Sequence, residues 1–334
     1  MKAAIYYGVR DIRVEEVPTP ECGENDVLVK IIKCGICGSD TGSYTIGGHV
    51  GGNAPGKGIG HEVCGRVAEV GKNITEFKEG ERVWINPLTN MPYGYSDMMG
   101  GFGEYVLVPN AKEHFNLYHV PDELTDDEVA LIEPFGVGVR GKNVPGAKPG
   151  DKVLVYGAGP IGLFCMAGLV SQGIKPVAVV RSDKRYDFLK KLGVDICNTS
   201  EIELPEYVGK HFGMTKARIG YPIPDMDILV DCAGGPQIPE EFVKMAHPGS
   251  RMSIVSTTHT PREIPGRLMS TEGIMMGSCS YTNDDIDEVI GILAGHKTCI
   301  TDVITHHFPL DQMTEAMEVA SARQGSMKVI VDIE

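Results

Sequence analysis

Tryptophan occurs once in 334 residues, and basic side chains are scarce, with 31 Lys and Arg against 45 Asp and Glu for a net charge of −14. A chain this acidic lacks the basic patch that polyanions require, which argues against general binding to nucleic acid or anionic membranes. The opening stretch MKAAIYYGVRDIRVEE has no apolar core, so no secretory leader is expected. A clean membrane span is missing too. The longest apolar run, Val153 to Val170, holds four glycines and Pro160 and reads as strand, turn and buried helix. The nine cysteines are odd in number and scattered, which excludes a disulfide framework and favours reduced thiols in a cytoplasmic protein.

What is present suits two domains, since the chain is too long for one ordinary core. Residues 1–110 are β-rich, with short β-branched segments at Ala3–Tyr7, Val27–Cys34, Val63–Val70, Arg82–Ile85 and Gly103–Val108. Around 124–142 the pattern turns helical, with Thr125 and Asp126 as cap candidates. From Asp151 a βαβ rhythm begins, with strand candidates at 153–156, 177–180, 228–232 and 251–255 and helices between them. That alternation predicts a parallel sheet with helices on its faces. A helix over 284–294, a strand near 303–308, a helix over 311–321 and a strand over 327–333 close the chain.

The string Gly157-Ala-Gly159-Pro160-Ile161-Gly162 follows VLVY and opens a helical pattern. In that setting a G-x-G-x-x-G turn holds a dinucleotide pyrophosphate. Gly157 permits the tight turn, Gly159 lets backbone approach the phosphates, and Gly162 lets helix pack against strand. The helix start then presents N–H groups to an anion. An ordinary Gly-rich βα turn that binds nothing is the bland alternative.

A second constellation lies upstream. Cys34-Gly-Ile-Cys37-Gly-Ser39-Asp40 precedes Gly60-His61-Glu62, and Glu133 stands further on. Thiolate, imidazole and carboxylate are the ligand types zinc takes in open, catalytic sites. Each residue also has a bland reading as a buried thiol, a core imidazole or a solvated strand acid. Adjacent strand side chains face opposite ways, so His61 and Glu62 share a metal only if the chain bends, which Gly58 and Gly60 allow. Cys34 and Cys37 could equally form a redox pair. Without a second C-x-x-C they are not half of a zinc ribbon. The Gly-rich stretch Gly47–Gly60 ends in His61-Glu62, which favours a site loop over a tether.

These strings, with FKEGERV, ALIEPFGVGV, KPGDKVLVYGAGPIGL and the tail MKVIVDI, resemble the zinc-dependent medium-chain dehydrogenase/reductase superfamily from end to end. The sorbitol, threonine and secondary-alcohol dehydrogenase branches are the nearest likeness. The resemblance implies a GroES-like β-barrel catalytic domain split between 1–133 and 270–334. A doubly wound Rossmann domain over 134–269 would be inserted, with the active site in the cleft. Carried over by position, Cys37, His61 and Glu62 would hold a catalytic zinc, with Glu133 touching it directly or through water. Asp40 would orient the metal histidine, and Ser39 would pass the substrate proton. Zinc would act as a Lewis acid favouring the ionised alcohol, whose hydride goes to the nicotinamide. Homodimers or homotetramers are implied by the same likeness.

Three departures qualify the resemblance. Asn86–Gly103 carries none of the four cysteines with which many relatives hold a structural zinc, so one zinc per subunit is expected. Its Met and Tyr residues are expected to fill a shortened lobe rather than line an apolar pocket. Gly42 replaces a frequent histidine, and Ser280 replaces the Arg of sorbitol dehydrogenases, which weakens a strict polyol assignment.

Cofactor choice rests on the second nucleotide strand, which ends at Val180 where NAD enzymes present an acid. Arg181, Ser182 and Arg185 follow, so NADP is favoured over NAD. Asp183 is the alternative acid, though it reads better as a helix start beside a capping Ser182. The expected activity is NADP(H)- and zinc-dependent oxidation of a secondary alcohol or polyol, or reduction of its ketone. A zinc-independent enone or quinone reductase and a non-catalytic nucleotide-binding protein are the alternatives.

Overall fold

Apolar residues dominate the segment VLVKIIKCG, and all but three of its nine side chains are buried in the strand Val27–Gly35. The computed structural model describes residues 1–47, 54–89, 100–182, 184–257, 261–296, 298–322 and 325–334. Two compact units result, one of residues 1–134 with 301–334 and one of residues 135–300.

In the first unit, Val27–Gly35 lies inside a seven-stranded sheet. It pairs antiparallel with Glu62–Val70, Tyr105–Val108 and the C-terminal Lys328–Asp332. The pairing with Glu62–Val70 sets Gly35 opposite Glu62 and Cys34 opposite Val63. Lys2–Gly8 and Asp11–Glu16 form a smaller sheet with Lys57–Gly58. One apolar core, including Val29, Ile31, Val63, Phe102 and Val331, lies within this unit. Thr125 caps the helix Asp126–Ala130 as its sequence suggests. Its Oγ1 accepts the Glu128 N–H at 3.2 Å while Glu128 Oε2 accepts the Thr125 N–H at 2.8 Å.

The second unit holds six parallel strands. Their order is Asp195–Asn198, Val177–Val180, Val153–Tyr156, Ile228–Asp231, Arg251–Ile254 and Ile274–Gly277. The two outer strands escape the sequence pattern, because DICN and IMMG are too short and mixed to show a period. VLVY and VAVV are buried throughout, as expected of strands covered on both faces. The chain reverses direction of travel on either side of Val153–Tyr156, and open sheets of this kind take ligands at the carboxyl ends of the strands beside that point. The return to the first unit comes at Thr301 rather than at residue 270, because Ile274–Gly277 is the edge strand of the parallel sheet. Among the described residues no helix is long and apolar enough to cross a membrane.

Candidate functional site

Cys37 ends the loop after Val27–Gly35 and is the N-cap of the helix Gly38–Ile46. Asp40 sits one turn in, and its Oδ2 accepts the backbone N–H of Cys37 at 2.9 Å, which ties the thiol to the helix start. His61 comes just before the strand Glu62–Val70, where Gly60 adopts a φ of +95°. That left-handed residue is the bend which lets adjacent His61 and Glu62 face one point. A side chain at Gly60 would also lie 2.7 Å from Phe102.

One donor atom each from Cys37, His61 and Glu62 lies within 4.8 Å of the other two. Three ligands of a tetrahedral zinc at 2.0–2.3 Å stand roughly 3.3–3.8 Å apart, so the cluster fits that ion with small inward movement. His61 and Glu62 are buried, and Asp40 Oδ1 lies 4.0 Å from His61 Nδ1. Cys34 takes no part: it is buried in the strand with its thiol on the Gly35 carbonyl at 3.6 Å, and burial pushes that thiol well above its usual pKa.

The electrostatics match a site built for a cation. Burial alone would lower the His61 pKa, but Cys37, Asp40 and Glu133 outweigh it and raise the imidazole well above its ordinary value. Glu133 is buried, and desolvation lifts its carboxyl to about 7 against the pull of His61. Ser39 Oγ is shielded from solvent and has no hydrogen-bond partner among the described residues. A buried hydroxyl two residues after Cys37 is a group that a bound ligand could satisfy.

Sequence reasoning missed Lys328. The ammonium of this buried residue pairs with Glu62 Oε2 and donates to the Ile36 carbonyl at 2.9 Å. Gly35 makes the room, since a Cβ there would collide with Glu62 and crowd the Lys328 stem. The available signal was one cation in the apolar strand KVIVD. Replacing Lys328 with Met should destabilise the fold by about 3 kcal/mol or more, because Glu62 is left as an unpaired buried charge. Denaturant unfolding of the zinc-free protein measures this, and an unchanged midpoint would refute the pairing.

In the second unit, a cavity of about 530 Å³ opens at the carboxyl ends of Val153–Tyr156 and Val177–Val180. Gly157 (φ +92°) and Gly159 line it, Pro160 takes the first position of the helix Pro160–Ser171, and Ile161 and Gly162 follow in its first turn. A Cβ on Gly162 would stand 2.1 Å from the Gly157 carbonyl, so only glycine lets the helix close on the turn. Val180, Arg181, Ser182, Lys184 and Arg185 form one wall, and no carboxylate lines the cavity among the described residues. Arg181 and Lys184 are exposed, whereas Arg185 points inward and donates to the Ala158 carbonyl. Ser182 does not cap the next helix, which starts at Tyr186 behind Arg185; Asp183 lies outside the described residues.

A second cluster joins Asp225, Asp227 and His247. Lys152 already engages both acids, through its ammonium on Asp225 and its N–H on Asp227 at 2.8 Å.

Two family models match the chain. The alcohol dehydrogenase GroES-like domain covers residues 23–122, and the zinc-binding dehydrogenase domain covers residues 160–295. Sorbitol dehydrogenase of Mus musculus is 30% identical over 348 residues, spanning 98% of this chain and 94% of that one. (R,R)-butanediol dehydrogenase of Neisseria gonorrhoeae is 29% identical over 361 residues, spanning 99% of each. The solved structure of 2R,3R-butanediol dehydrogenase from Bacillus subtilis is similar with a TM-score of 0.87 at 26% identity, covering 100% of this chain and 99% of that one.

Proposed function

The chain belongs to the zinc-dependent medium-chain dehydrogenase/reductase superfamily and acts on CH–OH donors, and from that premise we propose a zinc- and NADP(H)-dependent dehydrogenase of a secondary alcohol or polyol. The convergence of Cys37, His61 and Glu62 carries this reading. Zinc held there supplies Lewis acidity of the kind that lowers the pKa of water from 15.7 to about 7. Ser39, whose hydroxyl has no partner among the described residues, takes the substrate proton. Asp40 orients His61, and Glu133 offers a further carboxylate as a fourth donor, directly or through water. One zinc per subunit is proposed, since no cysteine occurs in 86–103; residues 90–99 of that segment lie outside the described residues.

The cation-rich cavity wall, among whose described residues there is no acid, supports NADP over NAD, because the extra phosphate of NADP needs positive partners. Both butanediol- and sorbitol-type relatives take small polyols by name, which supports a vicinal diol or its hydroxyketone as substrate class. A cytoplasmic location is part of the proposal, on the strength of cysteines that stand outside any disulfide. A panel of alcohols and ketones, assayed with both dinucleotides before and after chelation, tests the whole. Activity that survives complete removal of metal would refute it.

We also place a homodimer contact on the sheet edge Ile274–Gly277, the simplest closed form among the dimer and tetramer alternatives. Ile274 is 48% exposed there, and Met269 nearby is 84% exposed. An unpaired apolar edge is a template for pairing with another copy. Ile274→Lys should convert the dimer to monomers in sedimentation, and an unchanged mass would exclude this edge.

A further inference from the structure

Asp231 is a fully buried carboxylate at the end of the strand Ile228–Asp231, in register with Tyr156, the residue before the Gly157 turn. Its Oδ1 accepts the N–H groups of Ala233 at 2.9 Å and Gly234 at 2.8 Å, which folds the chain sharply back. That fold sets Ala233 against Gly157, where a glycine Cβ would stand 3.1 Å from the Ala233 Cβ. Ala233 and Gly234 both line the dinucleotide cavity. A negative charge therefore sits one strand away from the turn that must accept a pyrophosphate. Neighbouring strands are only about 4.8 Å apart.

The remaining oxygen, Oδ2, is met by Arg262 Nη1 at 2.6 Å and by Ser256 Oγ at 3.2 Å. Arg262 is itself largely buried, at 12% side-chain exposure, and lies over Gly234, where a Cβ would come within 3.3 Å of its Nη2. Gly234 has a φ of +81° and no side chain to block that approach. We propose that Arg262 is a positioning residue for the dinucleotide: it cancels the charge that Asp231 must carry to shape the Ala233–Gly234 wall. Without it, the acid would repel the two backbone phosphates across a poorly screened interior. The inference rests on the reading of the cavity as a dinucleotide site.

The test is titration of NADPH and NADH into the zinc-loaded protein, followed by nicotinamide fluorescence. Arg262→Gln should raise Kd about tenfold for both ligands alike, since the pyrophosphate is common to them. Asp231→Asn keeps the oxygen that caps the turn and removes the charge, so Asp231→Asn/Arg262→Gln should return both Kd values to within about twofold of the parent. A merely structural strap predicts the opposite, with the double variant as weak as Arg262→Gln. That result, unchanged binding by Arg262→Gln, or a loss confined to NADPH would overturn the proposal. If Arg262→Gln does not fold, the double variant decides alone, and a fivefold or larger weakening counts against it. Failure of the parent protein to bind either dinucleotide would instead remove the cavity reading, and this inference with it.

Discussion

Cys37→Ala should abolish stoichiometric zinc and lower kcat/KM on the order of 10³-fold, with dinucleotide binding retained. The magnitude follows from what the thiolate does. In the proposed site it would be one of three protein donors to the ion, and the Lewis acidity lost with the ion would cost several kcal/mol at the transition state, about 4 kcal/mol for 10³. The thiol holds its place through the helix N-cap and the Cys37 N–H bond to Asp40, so alanine removes the sulfur and leaves the backbone bond intact. Metal analysis of the dialysed protein, run beside steady-state kinetics, separates this from misfolding. Full activity with no metal, or full metal with no Cys37, would each end the zinc account. Cys34→Ala is the matched control, since Cys34 is committed to the strand core and its loss should leave zinc content unchanged.

Val180→Asp combined with Arg181→Ala should move dinucleotide preference toward NADH, with the ratio of kcat/KM values shifting by roughly 10²-fold. Two effects add. A carboxylate at the end of Val177–Val180 accepts the ribose hydroxyls of NAD and repels a 2′-phosphate. Loss of the exposed guanidinium would remove the charge-assisted hydrogen bond that the proposed 2′-phosphate contact supplies, a class of contact that contributes about 1.5–3 kcal/mol. Arg185 is a weaker lever than its sequence position suggests, because its guanidinium is turned inward to the Ala158 carbonyl and burial lowers its pKa. Lys184 shares the cavity wall and keeps some phosphate affinity in the double variant. A ratio that stays fixed would mean that the wall does not read the ribose, and the NADP assignment would fall.

The order of chemistry along the chain was already legible in the residues. VLVY before GAGPIG announces a buried strand running into a phosphate turn, and burial along Val153–Tyr156 agrees. Thr125 with Glu128 announces its helix for the same reason, because capping is local and needs no distant partner. Short elements gave no such signal. The edge strand Ile274–Gly277 is four residues of mixed exposure, and its neighbour in the sheet, Arg251–Ile254, decides that it is a strand. The domain return was misplaced by that omission.

Side-chain type and spacing, by themselves, determined that a thiol, an imidazole and carboxylates were available for a metal and that glycines could admit a dinucleotide. They could not determine which of Cys34 and Cys37 faces the imidazole, nor that Lys328 would neutralise Glu62 from 266 positions away (328 − 62). Antiparallel pairing of Val27–Gly35 with both Glu62–Val70 and Lys328–Asp332 decided those matters, by bringing distant charges into one dry site. The physical reason is that periodicity and capping act over a few residues, whereas charge compensation is set by whatever the fold makes adjacent in space.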